Sequence, residues 1–285
     1  MRKIFRKDLT FLILLTALSA CARVSQNSSP QLQSSASEAG IIGGAKVTQE
    51  TAELTGTVSL LLFTSIKNFE RGISQSICTG SLVGPNQVLT AAHCLDGFAK
   101  ILVVFKSDLM AQPLTRDESS HVVEKRIMYP SYNRVTCESQ LDCVDLAIVK
   151  FANAAPSAYH HVTISNDTEF LTPGTLVHPL GIGMGKFNDL TSSGVLREGQ
   201  VTLKTGDVNS DVFVLSQNDQ SGICYGDSGG PLMVYDPITS KPSLIGIASR
   251  SFKPGGLEGD LCNYGSVATN VLKYKEWILS TIQVL

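Results

Sequence analysis

The segment 220–232, QSGICYGDSGGPL, places Ser228 next to Asp227 and among glycines. A serine hydroxyl is a poor nucleophile near neutral pH. Its attack on a carbonyl requires a base within hydrogen-bond reach and a third group that orients this base. Ser228 therefore predicts a histidine and a buried acid elsewhere in the chain.

Two other segments offer these groups. His93 lies in VLTAAHC, where an apolar run meets small residues, and Asp145 lies in CVDLAIVKF. The apolar and β-branched neighbours of Asp145 would make an unpaired carboxylate costly, so this acid needs a partner. Taken singly, such a histidine is commonly structural and such an aspartate is commonly a cap. Together with Ser228 they favour hydrolysis through an activated serine.

Short strands are the elements that must position these residues. Beyond residue 40, β-rich runs alternate with Gly and Pro, at 57–65, 87–92, 100–107, 144–151, 211–217 and 243–250. This spacing predicts an all-β barrel or sandwich. The polar stretch 153–161 is the candidate join between two β units. Helical spacing of apolar residues is persuasive only at the C-terminus.

The composition limits the classes of partner and cofactor. The chain has 285 residues, 43% of them hydrophobic, which is enough for one large or two smaller cores. The net charge of −2 and the scattered basic residues give no reason to expect nucleic acid. No C-x-x-C motif occurs, and His160 and His161 are adjacent, so neither a metal nor another cofactor is expected.

The N-terminus predicts export. Residues 1–20 combine basic residues with an apolar run too short to span a bilayer, as in a signal peptide. The residues LSAC, 18–21, resemble the lipobox of bacterial lipoproteins, in which Cys21 would carry the lipid. The alternative is an ordinary secretory signal cut near Ala20 or Ala22. Residues 21–40, rich in Ser and Gln, predict a tether and propeptide.

The motifs TAAHC, DLAIVKF and GDSGGPL, in this order, resemble those of the chymotrypsin/trypsin-like serine proteases, and the resemblance runs from Ile41 to the C-terminus. It implies an all-β fold of two six-stranded antiparallel β-barrels with the active site between them, followed by an α-helix. The protease domain would occupy 41–285, with the first barrel at about 41–158, the second at about 159–270 and the helix at 271–285.

The resemblance also assigns roles at the site. Ser228 would attack the scissile carbonyl, His93 would take and return its proton, and Asp145 would orient His93. The backbone N–H groups of Gly226 and Ser228 would form the oxyanion hole.

An activation step is implied as well. A cut before Ile41, the first residue of IIGG, would create an α-ammonium that pairs with Asp227 and orders the site. The preceding residues, SEAG, do not fit an activator that cuts after Lys or Arg. We therefore expect a protease that accepts small residues, including this one acting on its own copies, to cut after Gly40. That cut would separate the domain from Cys21.

The cysteines predict disulfides. Of the seven, six remain when Cys21 is set aside, an even number in an exported chain. Counting alone leaves 15 pairings open. The resemblance implies two bridges, and the remaining two cysteines lie six residues apart, so the expected pairs are Cys78–Cys94, Cys224–Cys262 and Cys137–Cys143.

The expected specificity departs from that of trypsin. Trypsin-like members carry an acid six residues before the serine, where this chain has Gly222. With Ile223 beside it, and with Ser251 and Ser266 at positions where glycine would admit large rings, the pocket should be shallow. We expect small or medium uncharged side chains such as Ala, Val, Thr or Leu at the cleaved bond.

Two further residues complete the predicted substrate cleft. Ser249 would bind the substrate backbone, and Arg250 stands where an aromatic residue is common, which leaves a preference for acidic residues open. The overall prediction is a monomeric serine endopeptidase acting on proteins or peptides. It would be anchored by lipid in the cell envelope, in the outer membrane, or released outside the cell after activation. The rivals are a noncatalytic binding protein on the same fold and an esterase.

Overall fold

The computed structural model describes residues 41–111, 119–168, 171–217, 221–255 and 258–285. The predicted signal peptide, Cys21 and the tether lie outside this part of the chain. Within it, no helix has both the length and the apolar character needed to cross a membrane.

The first barrel is a closed antiparallel sheet in the order β2-β3-β4-β7-β6-β5. After the two-residue strand β1 (Ala45–Lys46), its strands are β2 (Thr57–Phe63), β3 (Ser76–Gly84), β4 (Gln87–Thr90), β5 (Lys100–Val104), β6 (Ser120–Met128) and β7 (Ala147–Phe151). Every residue of β2 is buried, because its sequence TVSLLLF contributes both to the barrel interior and to packing outside it. Burial of such apolar side chains is the main force that closes the sheet.

The second barrel closes through pairing of its first strand with a later one. Its strands are β8 (Leu176–Gly181), β9 (Arg197–Glu198), β10 (Val201–Thr205), β11 (Val212–Ser216), β12 (Pro231–Tyr235), β13 (Pro242–Phe252) and β14 (Gly265–Asn270). Six of them form the ring β8-β10-β11-β14-β13-β12, while β9 and then β1 extend it from β8. The N-terminal segment is therefore paired with the second barrel, not with the first.

Four helices accompany the strands in the described residues: α1 (Gln49–Thr55), α2 (Ile66–Glu70), α3 (Arg134–Ser139) and α4 (Lys275–Val284). The first three begin at Thr48, Ser65 and Asn133, whose side chains accept a backbone N–H of the first turn. Helix α4 follows the last strand of the second barrel but buries Ile278 among residues of the first. It therefore joins the two barrels.

The predicted fold class is confirmed. The chain forms two six-stranded antiparallel barrels and ends in a helix. Each of the six β-rich runs contains a strand, and residues 271–274 form the turn before α4.

Candidate active site

His93, Asp145 and Ser228 line one cavity of about 620 Å³ between the barrels. His93 lies on the 3₁₀ turn Ala92–Cys94 after β4, and Asp145 lies just before β7. Since β4 and β7 are antiparallel neighbours, the end of one and the start of the other bring these two side chains together. Ser228 comes from the second barrel, in the loop before β12.

The imidazole of His93 is held by Asp145. Nδ1 of His93 lies 2.6 Å from Oδ2 of Asp145, and the His93 backbone N–H donates to Oδ1 at 3.0 Å. An ionised carboxylate can only accept, so Nδ1 carries the proton and Nε2 is left as the acceptor. This tautomer is the one a general base requires.

Asp145 is an ionised acid in a dry environment. Burial opposes ionisation, but the charge of His93 and hydrogen bonds from its ring, its backbone and the Ser249 hydroxyl (2.7 Å) outweigh it and lower the pKa of Asp145. The effect on His93 is reciprocal. Burial lowers the pKa of His93, yet the charge and hydrogen bond of Asp145 together raise it above the ordinary 6.5.

The Ser228 hydroxyl donates to the Ser249 carbonyl oxygen at 3.1 Å. A proton transfer to His93 would require this hydroxyl to exchange that carbonyl for Nε2 as its acceptor. Such bonds are commonly formed only once substrate is bound.

Two backbone donors beside Ser228 are free. Within the described residues, neither the Gly226 nor the Ser228 N–H has a hydrogen-bond acceptor, and both residues line the cavity. Gly226 has φ +97°, and a Cβ there would lie 2.6 Å from the Gly183 Cα. Only glycine fits this turn. The geometry provides two donors for a developing oxyanion.

Thr79, on β3 of the first barrel, holds this loop in place. Its hydroxyl donates to the Gly226 carbonyl at 3.0 Å, and its N–H donates to the Ser228 carbonyl at 2.8 Å. The Ile182 N–H in turn donates to the Thr79 hydroxyl at 3.1 Å. The carbonyls of Gly226 and Ser228 are thereby both hydrogen-bonded.

Asp227 is fully buried and faces Ile41. Its carboxylate accepts the N–H groups of Gly183 and Cys224, each at 2.8 Å, and that of Ile41. Burial nevertheless raises the pKa of Asp227 to about 7. Ile41 is also fully buried and has φ +34°, a strained value for a β-branched residue. The next residue, Ile42, forms a two-bond bridge with Gly222.

The residues predicted for the specificity pocket divide into two groups. Ser249, Arg250 and Ser251 line the cavity. Ile223 and Ser266 are buried, with exposed fractions of 1% and 0%, and neither belongs to the described lining of the cavity. The Ser251 hydroxyl donates to the Ile223 carbonyl at 2.5 Å. This bond connects strand β13 with the segment that precedes Ser228.

Arg250 bridges the two sides of the cleft. Its guanidinium donates to the Gln140 carbonyl, in the loop that follows α3, and to the Ser249 hydroxyl at 3.3 Å. Burial lowers the pKa of Arg250 despite the nearby charges of Asp145 and Asp142. This side chain is thus tied to the loop that leads from α3 to Asp145.

All three predicted disulfides are present: Cys78–Cys94, Cys137–Cys143 and Cys224–Cys262. The first lies beside His93, and the last forms part of the cavity wall. Among the described residues, the sole cluster with the geometry of metal ligands is Cys78, His93 and Cys94. Two of its three sulfur and nitrogen ligands are engaged in the disulfide and are not thiolates, so this cluster does not hold a metal.

Three residues of the site had no signal strong enough to single them out from sequence. Thr79 follows the first cysteine of a bridge, Tyr225 is a half-exposed ring on the cavity wall, and Gln217 is a buried amide in a polar stretch. The position of Thr79 next to Cys78 was the one available hint, since that bridge was expected beside the histidine.

The letters of residues 226–230, GDSGG, also fit the G-x-S-x-G motif of esterases. In that motif the serine sits on a turn from a strand into a helix. Here Ser228 is followed by β12, and no helix starts at the site. The structure therefore does not support the esterase alternative.

Two six-stranded barrels with a serine, a histidine and a buried aspartate on the cleft between them are typical of chymotrypsin-like serine endopeptidases. The family model described as Trypsin matches residues 35–278. The chain belongs to the trypsin family and is a serine endopeptidase of the chymotrypsin-like class.

Curated relatives agree with this assignment. The chain is 29% identical to Brachyurin from Leptuca pugilator, over 70% of this chain and 85% of the relative. It is 28% identical to Transmembrane protease serine 11G from Mus musculus, over 73% of this chain and 50% of the relative. It is 26% identical to Ovochymase from Halocynthia roretzi, of which it spans 13%.

Proposed function

We propose that the enzyme hydrolyses peptide bonds through His93, Asp145 and Ser228. The observation that carries this proposal is the 2.6 Å contact of His93 Nδ1 with Asp145, which leaves Nε2 free on the cavity that Ser228 lines. His93 accepts the Ser228 proton as the hydroxyl oxygen bonds to the carbonyl carbon. It then donates that proton to the leaving amine as the peptide bond breaks.

The tetrahedral intermediate carries a negative oxygen that requires stabilisation. The unpaired N–H groups of Gly226 and Ser228 are suited to this task, and each such donor is typically worth about 2.7–4 kcal/mol of barrier. Water then attacks the acyl-enzyme in the same way, with His93 again accepting and returning a proton. This step releases the acyl group and frees Ser228.

We propose further that the chain is made as a zymogen and cut before Ile41. The contact of the Ile41 N–H with Asp227 supports this. In the uncut chain that contact requires φ +34° at Ile41. A cut removes the preceding carbonyl and its steric restriction. It also supplies an α-ammonium to a carboxylate that accepts backbone N–H groups and otherwise has the charge of Arg197 acting on it.

For the substrate, we propose small or medium uncharged side chains before the cleaved bond. Gly222 supplies no acid, and the hydrogen bond from Ser251 to the Ile223 carbonyl keeps the pocket narrow. The links of Arg250 to Gln140 and Ser249 place its charge at the edge of the cleft, where it favours an acidic substrate residue outside the pocket. The substrates are proteins or peptides, and the enzyme acts as a monomer.

Export follows from the N-terminal motif and agrees with the disulfides. We propose that Cys21 is lipidated and tethers the precursor to the envelope until the cut before Ile41 releases the domain.

Reaction with a fluorophosphonate tests the catalytic proposal. Protein beginning at Ile41 is expected to form one adduct, which peptide mapping places on Ser228. A protein that cleaves no peptide and forms no adduct would instead be a noncatalytic binding protein on this fold.

The pH dependence of kcat/KM checks the role of His93. Because Asp145 raises the pKa of His93, activity should be full at alkaline pH and fall as pH drops through a midpoint above 6.5. A peptide substrate without titratable groups isolates this transition. Asp145→Asn, which removes the charge, should move the midpoint to lower pH and reduce the rate by about 10⁴-fold. If kcat/KM of the unaltered enzyme fell at low pH with a midpoint well below 6.5, the role of His93 as the general base would be contradicted.

A further inference from the structure

Gln217 is a buried amide with all its polar groups engaged. It follows β11, and its exposed fraction is 7% although its neighbours in SQNDQS are polar. Its Nε2 donates to the Cys262 carbonyl at 2.6 Å and lies 3.3 Å from the Ile223 carbonyl, while its Oε1 accepts the Ile223 N–H at 2.8 Å. The amide thus connects the segment before Ser228 with the segment at the disulfide wall.

The same amide occupies the space beside Gly222. A Cβ at residue 222 would lie 2.3 Å from the Cys262 carbonyl and 2.9 Å from the Gln217 nitrogen. No side chain fits there without displacing backbone. The pocket therefore lacks the acid of a trypsin-like pocket, and the space beside Gly222 is also filled by the Gln217 amide and the Cys262 carbonyl.

The cavity ends above this layer. Its lining includes Ser251, Cys224 and Cys262, whereas Gly222, Ile223 and Gln217 do not belong to the described lining. The two groups are joined by hydrogen bonds, from the Gln217 amide to the Cys262 carbonyl and from the Ser251 hydroxyl to the Ile223 carbonyl.

We propose that the carboxamide of Gln217 is the floor of the specificity pocket and sets its depth. It lies directly behind the lining, because it bonds Cys262, which lines the cavity, and Ile223, the neighbour of the lining residue Cys224. It cannot swing aside without leaving these backbone groups unpaired. The enzyme accordingly accepts Ala, Val or Thr and excludes aromatic rings. This inference rests on the proposed proteolysis.

A series of peptide amides that differ only in the residue before the cleaved bond, Ala, Val, Leu or Phe, tests the floor. With protein beginning at Ile41, kcat/KM should fall steeply from Val to Phe. In Gln217→Ala the Phe-to-Ala ratio of kcat/KM should rise by about 10–200-fold, the range that a single methylene is worth in a pocket. Gln217→Met fills similar volume without the amide and should keep Phe excluded.

Asn270→Ala is the matched control for lost packing and hydrogen bonds. Asn270 is a fully buried amide of the same barrel that donates to the carbonyls of Asp207, Val208 and Ser210, away from the cavity. Its truncation should lower activity equally across the series.

The proposal for Gln217 is refuted if Gln217→Ala lowers kcat/KM equally for all four substrates. It is also refuted if the unaltered enzyme cuts after Phe as well as after Ala. The second result needs no variant and decides the matter even where Gln217→Ala does not fold. Titration of Ser228 with a fluorophosphonate in each preparation separates the two proposals. If the enzyme is labelled but its Phe-to-Ala ratio of kcat/KM differs from the expected one, only the role of Gln217 is refuted. If the enzyme is not labelled, the proposed proteolysis is refuted as well.

Discussion

Ser228→Ala is expected to lower kcat for peptide hydrolysis by about 10⁶-fold, and His93→Ala by a similar factor. Without the hydroxyl there is no covalent intermediate, and without Nε2 nothing accepts its proton. Because the two groups act as a unit, the double variant should be no slower than either single one. Residual hydrolysis above that of water would come from binding and from the N–H groups of Gly226 and residue 228. The measurement is kcat on a chromogenic peptide amide, normalised to folded protein.

Ser280→Ala is a suitable control for this variant. Ser280 lies on the exposed face of α4, where its hydroxyl donates to the Trp277 carbonyl. Its loss should leave kcat unchanged. If Ser228→Ala retained more than about a thousandth of the activity, a different nucleophile would have to be sought.

Asp227→Asn is expected to lower kcat/KM of the cut enzyme by about 10²–10³-fold. The α-ammonium of Ile41 would then enter a buried site without its carboxylate, which costs about 3–5 kcal/mol. The chain avoids that cost by withdrawing Ile41, and the loop that holds Gly226 and Ser228 loses its support. The uncut precursor should be similarly impaired, and N-terminal sequencing of active material should read Ile41 first.

The same substitution at Asp236 serves as the control. Asp236 caps an exposed turn through the N–H groups of Ile238 and Thr239, and asparagine can accept both. Asp236→Asn should therefore be fully active after the cut. Full activity of Asp227→Asn, or of enzyme that still begins at Cys21, would contradict the activation step.

The strand pattern of the sequence was sufficient for an all-β fold. The arrangement in two barrels and two of the disulfides were implied by the resemblance of its motifs to those of the chymotrypsin/trypsin-like serine proteases. The strand runs are long enough to show their character, whereas counting the cysteines left 15 pairings open and only Cys137–Cys143 was expected from its spacing. Helices α1 to α3 have five to seven residues, too few for a measurable period. Their polar caps at Thr48, Ser65 and Asn133 were the only signals, and such residues are as common in turns.

Contacts between distant segments could not be read from the chain. Gln217 bonds the carbonyl of Cys262, 45 residues away, and nothing in SQNDQS marks one amide as buried. Arg250 was expected to face substrate, and its bond to the Gln140 carbonyl depends on the path of the loop after α3. Sequence patterns report which residues are apolar, whereas these contacts depend on how loops that are distant in the chain are placed next to one another.

Thr79 makes activity a property of the two barrels together. Its backbone belongs to the first barrel, while the carbonyls that it fixes, those of Gly226 and Ser228, belong to the second. His93 and Asp145 also lie on the first barrel, and Ser228, the proposed nucleophile, lies on the second. We therefore expect that opening of either barrel would release the loop of Gly226 and Ser228 or separate His93 from Ser228. We therefore expect catalysis to require that both barrels are folded at the same time. A molecule in which one barrel has unfolded should have no activity.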